Sequence, residues 1–541
     1  MKKELLSRYI KITSIIICMF ILLIIKIFII QKDYENETMP TIYKGGNQTE
    51  KISQIDYQVY DYSGKNIVSL AKKYILVIEV NAFRMNNVKD SQEGLLAFNY
   101  IMKSQYPDFS LDDIVNKNGK LYFDKLDAES YEKLKDLTKV IKGIYVYNYD
   151  CVDNKDAWKI ENILTLINKD KSKNINSTSQ VNDSLEKNIL NTVRGNKDNI
   201  ISLSLNSKGF YSKETYGIDD NNLNPQLTLD EEWQQKIRDV LNRKLFSKLP
   251  NIGVAIVESS TGKVRVLAQK DESKPNILIG ATGLGFPPGS IFKVVDEITA
   301  ISENKLDLSK KYVCNGVLCK KNGKPHPHGT LNLNEALRVS CNEAFSQLGA
   351  SLGYENIMSM CDKLGLFSKV LNLNDEAAGV RAEKISGMNN ISIGQSLNVT
   401  PIQMTAVINT VVNNGVYIKP TILEGYKDNK NQFISLDKPK SINILDSQSA
   451  LIIKNQLKDV VNNGSGVKAQ VSGVEIGGKT GTAEGTSGND IWFLGYFKMN
   501  NKYYSMVILV PNLIGTNDDG DSYGGGNTAA PIFSQVVEAI K

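Results

Sequence analysis

The chain has 541 residues, with 64 lysines and arginines against 59 aspartates and glutamates, 41% hydrophobic residues and only two histidines. At about 150 residues per domain that length allows two to four domains around a large core, and a net charge of +5 on so long a chain gives no case for a nucleic-acid partner and none for disorder. Six widely scattered cysteines are not the disulfide framework of a small secreted domain, and chemistry leaning on many histidines is disfavoured.

Residues Ile12 to Ile30 form an apolar run broken only by Thr13, Ser14 and Lys26, which matches the roughly 20 residues that cross a bilayer. Lys2, Lys3, Arg8 and Lys11 precede it, so the positive-inside tendency puts a short tail, 1–11, in the cytoplasm, a single span at 12–31 and everything later outside the cell membrane. The alternative, a cleaved signal peptide, lacks a small-residue cleavage pattern after the run. Beyond a polar stretch, Lys72 to Ala82 reads as a strand, and Leu126 to Tyr147 changes from helical periodicity to strand-like residues at Gly143 to Tyr147. Asn168 to Asp183 has the Asn, Lys and Ser content of an exposed loop. From Leu227 the texture changes: Glu231 to Leu245 reads as a helix, and Ile252 to Val257 with Val264 to Ala268 as a hairpin turned at Ser260-Thr261-Gly262. A domain boundary near residue 222 follows.

Three short motifs carry the chemistry. In Pro287 to Lys293 (PPGSIFK), Pro-Gly ends a loop and Ser290 opens an apolar helix, so helical spacing puts Ser290 and Lys293 on one face. A serine hydroxyl needs a base to become a nucleophile, and a lysine serves only if burial or a second cation lowers its pKa. An isolated S-x-x-K is a common accident. The second motif is Ser340-Cys341-Asn342, between two apolar-periodic segments, where Ser340 can relay a proton and Asn342 can bind a substrate amide. The third is Gly477 to Glu484 (GGKTGTAE), with Ile491 to Phe497 behind it as a neighbouring strand. Lys479, Thr480 and Thr482 there form a cradle for a carboxylate, with Gly481 leaving the strand open.

Taken in order, S-x-x-K, S-x-N and K-T-G resemble the penicillin-recognising serine transferases. The likeness extends to Leu227 to Asp230 with Trp233-Gln234-Gln235, to Ser340 to Phe345, Ser392 to Gln395, Val399 to Met404 and Gly525 to Phe533. Within that superfamily the chain is similar to the class B penicillin-binding proteins. Ser184-Leu185-Glu186 with Leu190 and Arg194-Gly195-Asn196 looks like the last motif of their non-catalytic pedestal, and Asp61 to Gly64 is a degraded likeness of its first, without the usual arginine-glycine. The resemblance implies an α/β (α+β) serine transpeptidase, β-lactamase-like domain at 223–541, an antiparallel sheet flanked by helices, preceded by an elongated α+β pedestal at 32–222 and one transmembrane helix.

The activity so implied is peptidoglycan D,D-transpeptidation. Ser290 attacks the penultimate carbonyl of a stem peptide ending in D-Ala-D-Ala, Lys293 takes its proton, Ser340 passes a proton to the leaving D-alanine, and Lys479 with Thr480, Gly481 and Thr482 holds the terminal carboxylate. The backbone N–H groups of Ser290 and Thr482 would form the oxyanion hole. β-Lactams would acylate the same serine, no cofactor is needed for catalysis, and a polytopic glycan polymerase is the implied membrane partner. A D,D-carboxypeptidase or β-lactamase resolving the acyl-enzyme with water, and a non-catalytic scaffold for a glycan polymerase, are the alternatives.

A separate constellation, Cys314, Cys319, His326 and His328, gathers both histidines and two cysteines into fifteen residues. Three readings stay open: a Cys314–Cys319 disulfide, unlinked thiols beside a His328-Gly329 turn, and a structural zinc site. For the zinc site Asp296, one turn beyond Lys293, is the expected fourth ligand beside Cys314, Cys319 and His328, with His326 able to replace His328 or Asp296.

Overall fold

The computed structural model describes residues 48–541 apart from 87, 154–157, 164–182, 207, 208, 322, 323, 486 and 518, together with residues 19, 24 and 26. The expected span at 12–31 and the Asn168 to Asp183 loop therefore lie outside the described residues, save those three positions and Asp183. Among the described residues no helix is long and apolar enough to cross a membrane.

Two compact units divide the chain, one made of residues 1–54, 72–151 and 198–218, the other of 55–71, 152–197 and 219–541. In the first, a sheet of Lys120–Leu126, Leu70–Glu79 and Ile144–Val152, in that order, packs on the helices Val88–Gln105 and Ala128–Leu137 through Leu76, Ile78, Phe98, Met102, Leu134 and Ile144. Asp127 starts the second of these helices by accepting the Ser130 N–H, as an N-cap side chain does. A second sheet pairs Gln48–Lys51 with Ile200–Leu205 and that strand with Tyr211–Gly217.

The second unit takes segments from well ahead of residue 222. Both pedestal-like motifs belong to it: the Asp61 carboxylate accepts the N–H groups of Ser63 and Lys65 at 2.9 Å each, and Glu186 accepts the Asn374 N–H at 3.0 Å. Its centre is one antiparallel sheet of β1 (Gly253–Glu258), β2 (Val264–Gln269), β3 (Ile476–Gly485), β4 (Gly488–Met499) and β5 (Lys502–Leu513), in the order β3-β4-β5-β1-β2. The hairpin expected at 252–268 is β1–β2, and Ile491 to Phe497 is the neighbour of the K-T-G strand, with Lys479 opposite Leu494.

Because strand side chains alternate, each strand feeds two cores. Trp492, Leu494 and Tyr496 enter one with Val507, Leu509, Ala255 and Val257, while Ile491, Phe493 and Phe497 enter the other with Met506, Ile508, Val254 and Ile256. The latter face is covered by α1 (Glu231–Leu241) and the C-terminal helix Ala530–Ile540. The former meets α2 (Lys293–Ser302), α3 (Leu333–Val339), α4 (Asn342–Leu352), α5 (Pro401–Val412) and most of α6 (Ser447–Asn463). Every residue of α5 is buried, and its polar side chains Gln403, Thr405, Asn409 and Thr410 are hydrogen-bonded to backbone carbonyls, as buried polar groups must be. The α/β domain with a helix-flanked antiparallel sheet is the architecture the motifs implied.

Candidate active site

Pro287 and Pro288 end a loop, and Gly289 turns the chain at φ +55°, where a Cβ would lie 2.6 Å from the Thr482 carbonyl oxygen. Glycine is required here both for the left-handed backbone and for this approach of the S-x-x-K turn to the K-T-G strand. A short 3₁₀ turn over Gly289–Phe292 then runs directly into α2. Three residues of helical advance put the Lys293 Nζ 3.0 Å from Ser290 Oγ. Lys293 is wholly buried; its Nζ donates to Asn342 Oδ1 at 2.7 Å and to the Ser340 carbonyl at 2.9 Å.

Ser340 caps the C-terminus of α3 in the left-handed region, φ +60°. A non-glycine residue holds that conformation at a cost of roughly 1–2 kcal/mol, and the turn sends successive side chains of the S-x-N motif in different directions. Ser340 Oγ stands between two amines, 3.3 Å from Lys293 Nζ and 2.7 Å from Lys479 Nζ, whereas Cys341 turns away to cap α4. Lys479 lies on β3, the edge strand of the sheet, and its Nζ also donates to the Thr480 carbonyl at 2.9 Å. Thr480 Oγ1 sits 2.7 Å from Ser465 Oγ, and Thr482 Oγ1 accepts the Gly525 N–H at 3.2 Å. All the motif residues singled out for catalysis and substrate binding, Ser290, Lys293, Ser340, Asn342, Lys479, Thr480, Gly481 and Thr482, are thus gathered where three separate stretches of chain converge. Ser465, which steadies Thr480, carried no sequence signal.

Two buried amines joined through one hydroxyl cannot both keep ordinary basicity. Burial pushes Lys293 down to about 8, and burial together with the charge of Lys293 holds Lys479 well below its usual value. Two acids follow on the next turn of α2. Asp296 and Glu297 are fully buried, and none of their four carboxylate oxygens has a hydrogen-bond partner. Burial raises both, Asp296 far above its usual range against the pull of Lys293, and Glu297 to about 8 against the pull of Lys479.

On the other side of the S-x-N turn the structure corrects the expected metal ligands. Cys314, Cys319, His328 and Cys341 bring their ligand atoms within 4.8 Å of one another; neither Asp296 nor His326 belongs to that group. His326 is exposed, and the left-handed turn at Ser340 places Cys341 where Asp296 was expected. The only sequence signal for Cys341 was its position in the middle of S-x-N. The Cys314–Cys319 disulfide is also absent: both are thiols, and Cys319 Sγ lies 3.8 Å from Cys341 Sγ while Cys314 Sγ lies 3.3 Å from His328 Nδ1. The contact between the first pair favours the thiolate on Cys319 and the thiol on Cys341, so one is lowered and the other raised.

Three sulfurs and an imidazole are a zinc donor set. Zn–S and Zn–N bonds of about 2.3 and 2.0 Å in a tetrahedron require S–S and S–N edges of about 3.8 and 3.5 Å, close to the distances within the two pairs.

The strand Tyr312–Cys314 pairs with Gly329–Leu331, Cys314 facing Gly329, and α4 holds the intervening segment. The Asn342 N–H donates to Cys319 Sγ at 3.2 Å and its Nδ2 to the Leu318 carbonyl at 3.0 Å. The Glu343 carboxylate accepts the N–H groups of Asn315 and Leu318 at 2.7 and 3.0 Å. Asn342 therefore touches Lys293 with one side-chain atom and the cysteine-bearing loop with another.

Fold and site define a serine and two lysines set at the edge of a helix-flanked antiparallel sheet. Residues 252–538 match the family model for the penicillin binding protein transpeptidase domain, and the chain belongs to that family. Its class B reading agrees with two curated relatives, penicillin-binding protein PbpB of Mycobacterium tuberculosis, 27% identical over 348 residues (58% of this chain, 51% of that one), and peptidoglycan D,D-transpeptidase PbpA of Mycolicibacterium smegmatis, 26% identical over 369 residues (60% and 73%). The chain spans about half the length of the first curated relatives it matches. The fold is shared with the crystal structure of penicillin binding protein 3 from Mycobacterium tuberculosis complexed with ampicillin, at TM-score 0.58 and 19% identity over 91% of this chain and 95% of that one.

Proposed function

We propose that the chain is a serine-type peptidoglycan D,D-transpeptidase that cross-links stem peptides through an acyl-enzyme on Ser290. The observation that carries this reading is the continuous run from Ser290 Oγ to Lys293 Nζ, Ser340 Oγ and Lys479 Nζ, at 3.0, 3.3 and 2.7 Å. Neutral Lys293 takes the Ser290 proton as Oγ adds to the penultimate carbonyl of a D-Ala-D-Ala terminus. The C–N bond then breaks, and D-alanine leaves with a proton returned through Ser340, which is in contact with both amines. An amine of a second stem peptide attacks the ester, gives its proton to Lys293 and regenerates the hydroxyl. Lys479 stays beside Thr480 and Thr482 as the positive end of the carboxylate cradle. The close approach of Gly289 to Thr482 supports an oxyanion hole from the N–H groups of Ser290 and Thr482, where each donor is worth on the order of 3 kcal/mol.

A β-lactam would acylate Ser290 and stall, because its cleaved ring stays attached and no D-alanine-like group departs. The resemblance to class B proteins adds, as proposals, a single N-terminal membrane anchor at 12–31, a catalytic domain outside the membrane and a polytopic glycan polymerase as partner. A zinc ion is proposed on Cys314, Cys319, Cys341 and His328; four protein ligands leave no position for water, so it would brace the S-x-N turn and take no part in bond making. The test is incubation with a D-Ala-D-Ala stem peptide and an amine acceptor. Transpeptidation predicts D-alanine release matched by dimer formation; release matched only by hydrolysed monomer would convert the reading to a carboxypeptidase, and no release to a scaffold.

A further inference from the structure

The hydrogen-bonded run of the site does not stop at Lys479. Lys479 Nζ lies 3.4 Å from Thr480 Oγ1, and Thr480 Oγ1 lies 2.7 Å from Ser465 Oγ, so a hydroxyl from outside the three motifs ends the chain. Ser465 follows α6 and is fixed on both sides: its N–H donates to the Arg338 carbonyl, near the end of α3, at 3.2 Å, and a Cβ on Gly526 would lie 2.7 Å from its carbonyl oxygen. The turn that holds Gly526, Gly525–Ala529, also gives Thr482 its partner, the Gly525 N–H donating to Thr482 Oγ1 at 3.2 Å. Each hydroxyl of the K-T-G strand thus meets one group from an adjoining turn.

The direction of these bonds follows from the ligand. A carboxylate only accepts, and a threonine hydroxyl has a single hydrogen. For Thr480 and Thr482 both to donate to a terminal carboxylate, each must be met by a donor on its remaining side. For Thr482 the backbone settles this, because an N–H cannot accept. Thr480 has Lys479 Nζ at 3.4 Å, a long contact, and Ser465 Oγ at 2.7 Å, the usual length of a bond between hydroxyls. We propose that Ser465 is a positioning residue of the carboxylate cradle: its hydroxyl donates to Thr480 Oγ1 and so aims the Thr480 hydrogen at the stem-peptide carboxylate, which makes the site prefer a free C-terminal carboxylate to a neutral end. Without that donor nothing turns the Thr480 hydrogen toward the ligand, and the cost of orienting it falls on binding. Ser465 acts through Thr480, at the far end of the run from Ser290. It therefore sets affinity for the peptide terminus and leaves bond making to Ser290, Lys293 and Ser340.

The assignment rests on the transpeptidase reading. The test compares turnover by the full chain of two D-alanyl thioesters, one whose leaving group ends in a carboxylate and one in a carboxamide. Ser465→Ala is expected to lower kcat/KM for the carboxylate thioester by about three- to tenfold, the weight of one hydrogen bond, through a raised KM with kcat unchanged, and to leave the carboxamide thioester as it was. Ser465→Thr keeps the hydroxyl and should keep the parent ratio of the two. Ser465→Val, equal to threonine in shape, should repeat the alanine result and decides if Ser465→Ala does not fold. An equal fall for both thioesters, in protein that stays folded, would mean that Ser465 merely packs; no change for either, in the alanine and valine variants alike, would mean that Lys479 alone aims Thr480. Both results overturn the assignment. A parent chain that reacts with neither thioester and takes up no fluorescent penicillin would strike the transpeptidase reading, and the assignment with it.

Discussion

The two sides of the S-x-N turn bury polar groups in opposite ways. Toward the serine, two fully buried lysines are satisfied by neutral partners, Ser340, Asn342 and backbone carbonyls, so an amine there can discard its charge and act as a base. Toward the hairpin, three sulfurs and an imidazole face one another, a donor set suited to a soft cation. Residues 340 and 342 belong to the first side and residue 341 to the second. A turn of three residues thus joins a site that works by losing charge to one that waits for a partner.

The largest effect that would break this comparison lies on the serine side. Ser290→Ala is expected to remove covalent penicillin labelling altogether while thermal unfolding stays within about 2 °C of the parent; residual labelling would assign the nucleophile elsewhere. Next in size, Lys293→Ala should slow acylation by about 10²–10⁴-fold, the range for loss of a positioned base, read as the second-order rate constant with a chromogenic cephalosporin. On the hairpin side, Cys341→Ser should lower zinc content, by elemental analysis after dialysis, from near one per chain to less than about 0.2, because one of four donors is lost; Asp296→Asn should leave it unchanged. The reverse pattern would restore Asp296 as the ligand.

The smallest effect concerns Glu297. Its pKa is raised by burial from 4.5 to about 8 in the folded chain, so the folded state favours the protonated acid. The contribution to stability is complete below about 4.5 and is lost as the pH rises through about 8. Glu297→Gln keeps the side chain neutral throughout, so its melting temperature should gain on the parent by several degrees between pH 5 and pH 9. No relative gain would mean that the charge of Lys479 already compensates Glu297 in full.

Much of this arrangement was legible in the amino-acid order. Helical spacing placed Ser290 beside Lys293, glycines and hydroxyls marked the K-T-G strand, and Ile491 to Phe497 announced its neighbour, because each of those signals is local. What failed was long-range. Asp296 is at helical distance from Lys293 and was reasonably paired with the thiols, but only the left-handed turn at Ser340 reveals that Cys341 takes that place. The boundary near residue 222 reflects a change in composition, whereas residues 55–71 and 152–197 join the second unit through backbone hydrogen bonds that composition does not report. Cys341 carried its message in a position normally read as the unspecified residue of a motif.

The central claim is that a buried lysine acts as an uncharged base toward Ser290. It is tested most directly by the pH dependence of the acylation rate constant with a β-lactam whose own charge does not change between pH 5 and 10. With Lys293 lowered to about 8, the rate should climb roughly tenfold per pH unit up to that value and then level off. A rate that is flat from pH 5 to 9, in protein that remains folded throughout, would contradict it.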